Sequence, residues 1–229
     1  MDDGRKPTSR TVVALSMAVV ICCLTGCSLI VMTGKMIFGD PKVKCAFSVA
    51  RRVNLVKEKK KVLVICSVPE SIKLEFPSLE IDLQDLVTRQ LKRQDIPIVN
   101  PNKVIDWLQE NGSGPNDPSL LARELAASFD TDYIIIIDLD RFTYMEENTP
   151  TMYQGHAEGI VIAFEVSESD GTKTALHVFS HEFQSVYPRF APKSAHEISK
   201  KTFVNNYLRR VSLELAHLFY DHPRGEEVQ

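Results

Sequence analysis

Two pairs of residues in this sequence have types and spacings suited to chemistry. Asp138 and Asp140 end a run of four isoleucines, and His177 and His181 lie four residues apart. Side chains two or four residues apart on a β-strand share a face, so each pair would present its groups to one side of a sheet. Carboxylates and imidazoles ligate metal ions and transfer protons. These four residues are therefore the candidate site if the protein is a hydrolase or a metal-dependent enzyme.

A simpler interpretation is favoured for both pairs. Apolar and polar residues keep alternating beyond Asp140, so the two carboxylates are expected on the solvated face of a long strand. Histidines four residues apart on a strand are separated by roughly 13 Å, too far to hold one metal ion together. The sequence contains no phosphate-binding glycine loop and no Gly-x-Ser-x-Gly motif. We therefore expect a non-enzymatic protein with no catalytic residue, metal or cofactor.

The first 26 residues have the order of a secretory signal peptide. Three basic residues precede an apolar run, which ends in the small residues of Leu24–Cys27. This order is typical of exported proteins. The run is also long enough for an uncleaved membrane anchor, and a buried helix is the remaining alternative.

The sequence Leu-Thr-Gly-Cys resembles the lipobox of bacterial lipoproteins. The resemblance implies cleavage before Cys27 and acylation of its thiol, with the lipid (palmitate among its acyl chains) holding the protein in a membrane. Ser28 follows in place of the aspartate that retains many lipoproteins at the inner membrane. We expect a protein of the cell envelope, on the periplasmic face of the outer membrane.

Composition and cysteine content narrow the range of functions. The formal net charge of −3 gives no electrostatic reason to expect nucleic-acid binding. Cys22 and Cys23 would leave with the signal peptide. Cys45 and Cys66 would remain and could pair in an oxidising compartment, but Cys66 lies in the apolar run Val-Leu-Val-Ile-Cys-Ser-Val, which favours a buried free thiol.

Periodicity predicts a mixed α/β fold. The expected order is strand, helix, strand (96–99), helix, helix, strand, hairpin and a long C-terminal helix within 194–222. The sheet is expected to have a parallel half and an antiparallel hairpin that turns at Asp170-Gly171. The predicted segments are a signal peptide (1–26), a lipidated N-terminus and tether (27–60), the α/β domain (61–222) and a disordered tail (223–229).

Three phrases within residues 61–142 carry a family resemblance. They are KVLVICSV, LVTRQLKRQDIPIVNPNKVIDWL and LARELAASFDTDYIIIIDLDRF. They resemble the periplasmic α/β domain of TolB amino-terminal domains, the export lipoprotein CsgG and the penicillin-binding-protein activator lipoproteins. The resemblance implies an outer-membrane-anchored module that binds or scaffolds other envelope proteins. A ring-forming export component, and hence a homo-oligomer, is an alternative, but one hairpin supplies only two of the strands that a pore needs.

Overall fold

A mixed β-sheet lies at the centre of the protein, in agreement with the predicted α/β class. The structure is a computed structural model that describes residues 42–111, 117–146 and 149–224. The elements in chain order are β1 (Lys42–Val43), α1 (Ala46–Arg51), β2 (Val62–Ser67), α2 (Glu70–Glu75), α3 (Leu79–Arg93), α4 (Pro101–Asn111), α5 (Pro118–Ser128), β3 (Tyr133–Glu146), β4 (Thr149–Ser169), β5 (Thr172–Tyr187), β6 (Lys193–Ser194), α6 (Lys200–His217) and β7 (His222–Pro223).

The chain divides into two compact units. One comprises Met1–Val43 with Pro223–Gln229, of which the structure describes little beyond β1 and Pro223. The other is Lys44–His222, which contains the sheet and all six described helices.

The sheet has the strand order β2-β3-β4-β5, with β6 also pairing with β4. Strands β2 and β3 are parallel, in a register that runs from Val62 opposite Tyr133 to Ser67 opposite Asp138. Strands β3, β4 and β5 are antiparallel neighbours. The turn between β4 and β5 is at the predicted Asp170-Gly171, where both residues have positive φ angles of 53° and 74°. The parallel half and the antiparallel hairpin are thus both confirmed.

Helices cover both faces of the parallel half of the sheet. On the first face, α1, α3 and α6 pack against Ile135 and Ile137. On the second face, α4 and α5 pack against Ile134 and Ile136. This double coverage explains the uninterrupted isoleucine run, since a strand buried on both faces has no position for a solvated side chain.

Glycine at position 155 permits close packing of α6 on the sheet. A Cβ atom there would lie 2.6 Å from the Tyr207 ring. Tyr207 is fully buried and stacks on Phe142 at 4.9 Å between ring centroids. A side chain at position 155 would therefore push α6 away from β4.

The compact unit begins before the predicted domain boundary at residue 61. Helix α1 lies within the segment expected to be a tether, and its Phe47 is 1% exposed. The Phe47 ring contacts Tyr133, Phe179 and Phe219 at centroid distances of 5.4–5.6 Å. Its backbone N–H also donates to the Leu218 carbonyl at 2.9 Å. This aromatic cluster joins residues 44–60 to the core.

Two predicted elements differ from those observed. The expected strand at 96–99 is reduced to an isolated bridge between Ile98 and Val62, because Pro97 has no N–H to continue a ladder. The C-terminal helix begins at Lys200 and not near Ser194. Ser194 pairs with β4, and Ser199 caps the helix by accepting from the Thr202 N–H at 3.2 Å.

The hairpin extends far beyond the helices of the second face. Strand β4 has 21 residues and β5 has 16, whereas β2 has six. Helices α4 and α5 pack on the part of β3 that precedes Asp138. The remainder of this face is here called the distal face, and its side chains are half-buried or exposed. It comprises Arg141, Thr143, Met145, His156, Glu158 and Val186.

Candidate functional site

A cleft of about 720 Å³ opens at the carboxyl end of β2, where its parallel pairing with β3 stops at Ser67 and Asp138. One wall comes from α2 and α3, and the opposite wall from α4 and α5. In open α/β sheets, ligands often bind beyond the carboxyl ends of parallel strands. Here only β2 ends at the cleft, and β3 continues past it to Glu146. Among the described residues, the polar side chains that line it are those of Ser67, Glu70, Lys73, Glu80, Gln84, Gln109 and Asp138.

Asp138 lies at the floor of this cleft, opposite Ser67 in the parallel register. Partial burial raises the pKa of its carboxyl group, a hydrogen bond with the Ser67 side chain opposes that rise, and the nearby charge of Asp140 adds to it. Burial dominates because it disfavours the charged form. Asp138 thus keeps its proton to a higher pH than an ordinary aspartate.

Glu80 is held in place by two donors. Its Oε1 accepts from the Val68 backbone N–H and from Lys73 Nζ, each at 2.9 Å. The position follows from local sequence, since Pro69 ends β2 and the chain returns through α2 to the first turn of α3. Glu80 therefore ties the end of β2 to the start of α3 and places the Lys73 ammonium group at the same rim.

The Cys66 thiol also lines the cleft but is not suited to nucleophilic chemistry. Burial raises its pKa far above the usual value, and the charges of Glu80 and Asp138 raise it further. A thiol in such surroundings stays protonated and is a poor nucleophile. Cys66 and Cys45 are both free and buried, as predicted for Cys66.

Gln84 has a polar group without a partner. The residue is 3% exposed, lines the cleft, and its Nε2 has no hydrogen-bond partner within the described parts of the chain. A buried amide donor without an acceptor costs about 1–3 kcal/mol. An acceptor brought by a ligand would recover that energy.

Asp138 and Asp140 are near enough for their charges to interact, but they do not line the same pocket. Asp138 lines the cleft, while Asp140 is exposed. The register of β3 against β4 shifts between Leu139 and Arg141, so Asp140 occupies an irregularity in the strand. The two carboxylates do not form a shared binding site.

The two histidines lie on opposite faces of the sheet. The register shifts where Ala163–Phe164 meets β5, because β5 has an additional residue at Val178. His177 consequently contacts Phe164 of the second core edge-on at 5.7 Å, whereas His181 stacks on Phe179 of the first core at 6.0 Å. The shared face expected from their spacing is therefore not observed. Across residues 42–111, 117–146 and 149–224, no three His, Cys, Asp or Glu side chains converge as a metal site.

Sequence reasoning missed Lys73, Glu80 and Gln84. On α3, Leu83, Val87 and Leu91 recur at helical spacing and all lie in the core. Gln84 and Thr88 lie beside that apolar row, four residues apart, and both are buried. Two polar residues adjacent to an apolar row are a signal for a polar cavity, although the sequence does not show which strand ends they meet.

The predicted acylation site, Cys27, and the signal peptide lie outside the described residues. Within the ranges given above, no helix has both the length and the apolarity that a bilayer crossing demands. Cleavage and acylation at Cys27 therefore stay predictions.

Comparisons with known proteins give weak similarity to several solved structures. Protein XCC0632 from Xanthomonas campestris, of the family model DUF330, has 13% identity and a TM-score of 0.42 over 78% of this chain and 90% of its own. Lipoprotein GNA1162 from Neisseria meningitidis has 10% identity and a TM-score of 0.37, over 69% and 98%. The PelC dodecamer from Paraburkholderia phytofirmans has 10% identity and a TM-score of 0.36, over 71% and 88%.

These similarities assign neither a family nor a function to this chain. No protein-family model matches it, and no curated protein is similar in sequence. The similar solved structures include bacterial lipoproteins. The more specific resemblance to TolB amino-terminal and CsgG-like domains is not confirmed by them.

Proposed function

We propose that this chain is a lipid-anchored protein of the cell envelope whose α/β unit binds or scaffolds other envelope proteins without catalysing a reaction. Acylated Cys27 would hold the protein on the periplasmic face of the outer membrane. The residues between Cys27 and Lys44 would set the distance between the lipid and the folded unit.

The binding role is supported mainly by the exposed apolar side chains on the distal face. Met145 and Val186 are each 38% exposed on this face, and Phe190, which follows β5, is 84% exposed. An Arg141–Glu158 ion pair at 3.4 Å lies on the same face. Exposed apolar side chains beside charged groups are typical of protein interaction surfaces.

The adjoining strand β5 adds a second means of recognition. It is an edge strand of the sheet along most of its length. Edge strands present unpaired backbone groups that an extended partner segment can join. We infer that an envelope protein engages the distal face and this edge, with a second copy of the chain as the alternative partner.

The anchor is tested by metabolic labelling with an alkyne analogue of palmitate. Wild-type protein should carry the label and migrate as the shorter, processed chain. Cys27→Ala should lose both label and processing, whereas Cys22→Ala and Cys23→Ala should keep them because those residues leave with the signal peptide. A wild type without label, or a labelled Cys27→Ala variant, would refute lipidation at this residue.

The interaction surface is tested by site-specific photocrosslinking in cells. A benzophenone amino acid at Val186 should give a discrete crosslinked product, identified by mass spectrometry. The matched control is the same probe at Lys92, which is exposed on α3 away from the distal face. An envelope protein captured from position 186 alone supports the proposal, and a product containing two copies of the chain indicates self-association. Equal capture from both positions, or none from 186, contradicts it.

A further inference from the structure

The cleft at the end of β2 is not used by the proposed scaffolding role, which places the partner on the distal face. We propose that this cleft binds a small organic ammonium ion that has an apolar body and an oxygen acceptor. The ammonium group would pair with Asp138, the acceptor would lie at Gln84, and the body would lie between the two helical walls.

The charge of the lining favours a cation. Asp138, Glu70 and Glu80 contribute carboxyl groups, and Lys73 is the single lysine or arginine among the described lining residues. Lys73 is already paired with Glu80 at 2.9 Å. Within the described residues, Asp138 has a hydrogen bond with the Ser67 side chain and no cationic partner. An ammonium ion at Asp138 would supply the counter-charge that the half-buried carboxylate lacks.

The walls favour an apolar body. Ile81 of α3 lies on one side, and Ile105, Leu108 and Leu121 lie on the side of α4 and α5. Ile81 is 49% exposed although it borders this crevice. The volume of about 720 Å³ is in the range of sites for small organic ligands, roughly 300–1,000 Å³.

Gln84 specifies the third feature of the ligand. Its buried Nε2 has two N–H donors and no acceptor within the described parts of the chain. A hydroxyl or carbonyl oxygen of the ligand would satisfy one donor, and a ligand without such an oxygen would leave the donor unpaired. The cleft should thus discriminate an amino alcohol from a simple amine.

The test uses the full-length protein in detergent micelles, with labelled isoleucine and leucine methyl groups observed by NMR. The probe is phenylglycinol, which has an ammonium group, a hydroxyl group and a phenyl ring. It should shift the Ile105 and Leu108 methyl signals saturably. Benzylammonium, which lacks the hydroxyl group, should bind more weakly, and styrene glycol, which lacks the ammonium group, should not saturate.

Two variants separate the contacts. Asp138→Asn should weaken phenylglycinol binding by at least about tenfold, because it removes the counter-charge of the ammonium group. Gln84→Met, of similar shape, should reduce phenylglycinol binding to that of benzylammonium. The matched control is Asp106→Asn, on exposed surface of α4 outside the cleft, which should bind as wild type.

Three results would overturn the proposal. The first is that phenylglycinol causes no saturable shift in the wild type. The second is that Asp138→Asn, with an otherwise unchanged methyl spectrum, binds phenylglycinol as tightly as the wild type. The third is that styrene glycol binds as tightly as phenylglycinol. If Asp138→Asn is misfolded, the three ligands still test the proposal on the wild type. They differ in the ammonium group and the hydroxyl group, so the protein need not be changed. None of these outcomes depends on crosslinking at Val186.

Discussion

Among single residues, Asp138 shows most directly how position changes chemistry. It belongs to the same alternating segment as Asp140, and the sequence pattern does not distinguish the two residues. The structure separates them, because a strand irregularity leaves Asp140 in solvent while Asp138 lies in the cleft beside Ser67. The raised pKa of Asp138 is a consequence of that burial and has a measurable effect on stability.

Asp138→Asn should increase the free energy of unfolding at neutral pH. The folded-state pKa of Asp138 is raised above its unfolded value, so the ionised form disfavours folding. Asparagine removes that charge and can still accept from the Ser67 hydroxyl. The gain should shrink as pH falls through the folded pKa of Asp138, where the wild type becomes protonated and regains the same stability.

Urea unfolding of both proteins from pH 7 to pH 3, followed by circular dichroism, measures this difference. A carboxyl-carbon NMR titration of Asp138 gives its pKa independently. The prediction would be contradicted if the variant were less stable than the wild type by the same amount at every pH and Asp138 had an ordinary pKa.

At the scale of elements, the sequence predicted the regular segments and missed the irregular ones. The isoleucine run, the Asp170-Gly171 turn and the apolar spacing of α3 each depend on local pattern, and all agree with the structure. The strand irregularities near Asp140 and Val178 depend on register between distant strands, which no local pattern records. They decide which predicted site residues meet, so the candidate site was less predictable than the fold.

Helix α1 shows a second limit of local pattern. Six residues are too few to establish helical periodicity, so the sequence pattern alone predicts that residues 46–51 belong to the tether. Their place in the core is fixed by the contacts of Phe47 with rings from β3, β5 and the segment after α6. The cleft residues are likewise contributed by separate elements that only the tertiary fold brings together.

Phe47→Ala should therefore destabilise the α/β unit by about 3–5 kcal/mol, as expected for loss of a fully buried phenylalanine. The matched control is Val49→Ala, on the same helix but 65% exposed, which should change stability by less than about 0.5 kcal/mol. Chemical unfolding of the purified full chain measures both. Equal, small effects would show that α1 is not part of the core and that residues 44–60 act as a tether.

For the whole molecule, the proposed location outside the cytoplasm raises the question of how the two described cysteines stay reduced. A protein exported to an oxidising compartment is exposed to disulfide-forming conditions. Cys45 is the N-cap residue that precedes α1, Cys66 lies on β2, and both are buried free thiols. Burial shields each thiol from oxidants, and it raises the pKa of both, which keeps them in the less reactive protonated form. The fold itself can thus maintain two free thiols outside the cytoplasm.

Protein purified from the envelope should accordingly contain Cys45 and Cys66 as thiols. Iodoacetamide should modify them slowly under native conditions and rapidly in urea, because unfolding exposes both side chains. Mass spectrometry of the peptides containing each cysteine measures the modified fraction, and the thermal midpoint should be the same with and without dithiothreitol. An intramolecular Cys45–Cys66 disulfide, or a thermal midpoint that falls on reduction, would contradict this prediction. It would show that the two cysteines are bonded in the cell and are not free thiols. Absence of a disulfide combined with rapid native alkylation of Cys45 would instead place α1 outside the core. This measurement is thus linked to the stability of Phe47→Ala.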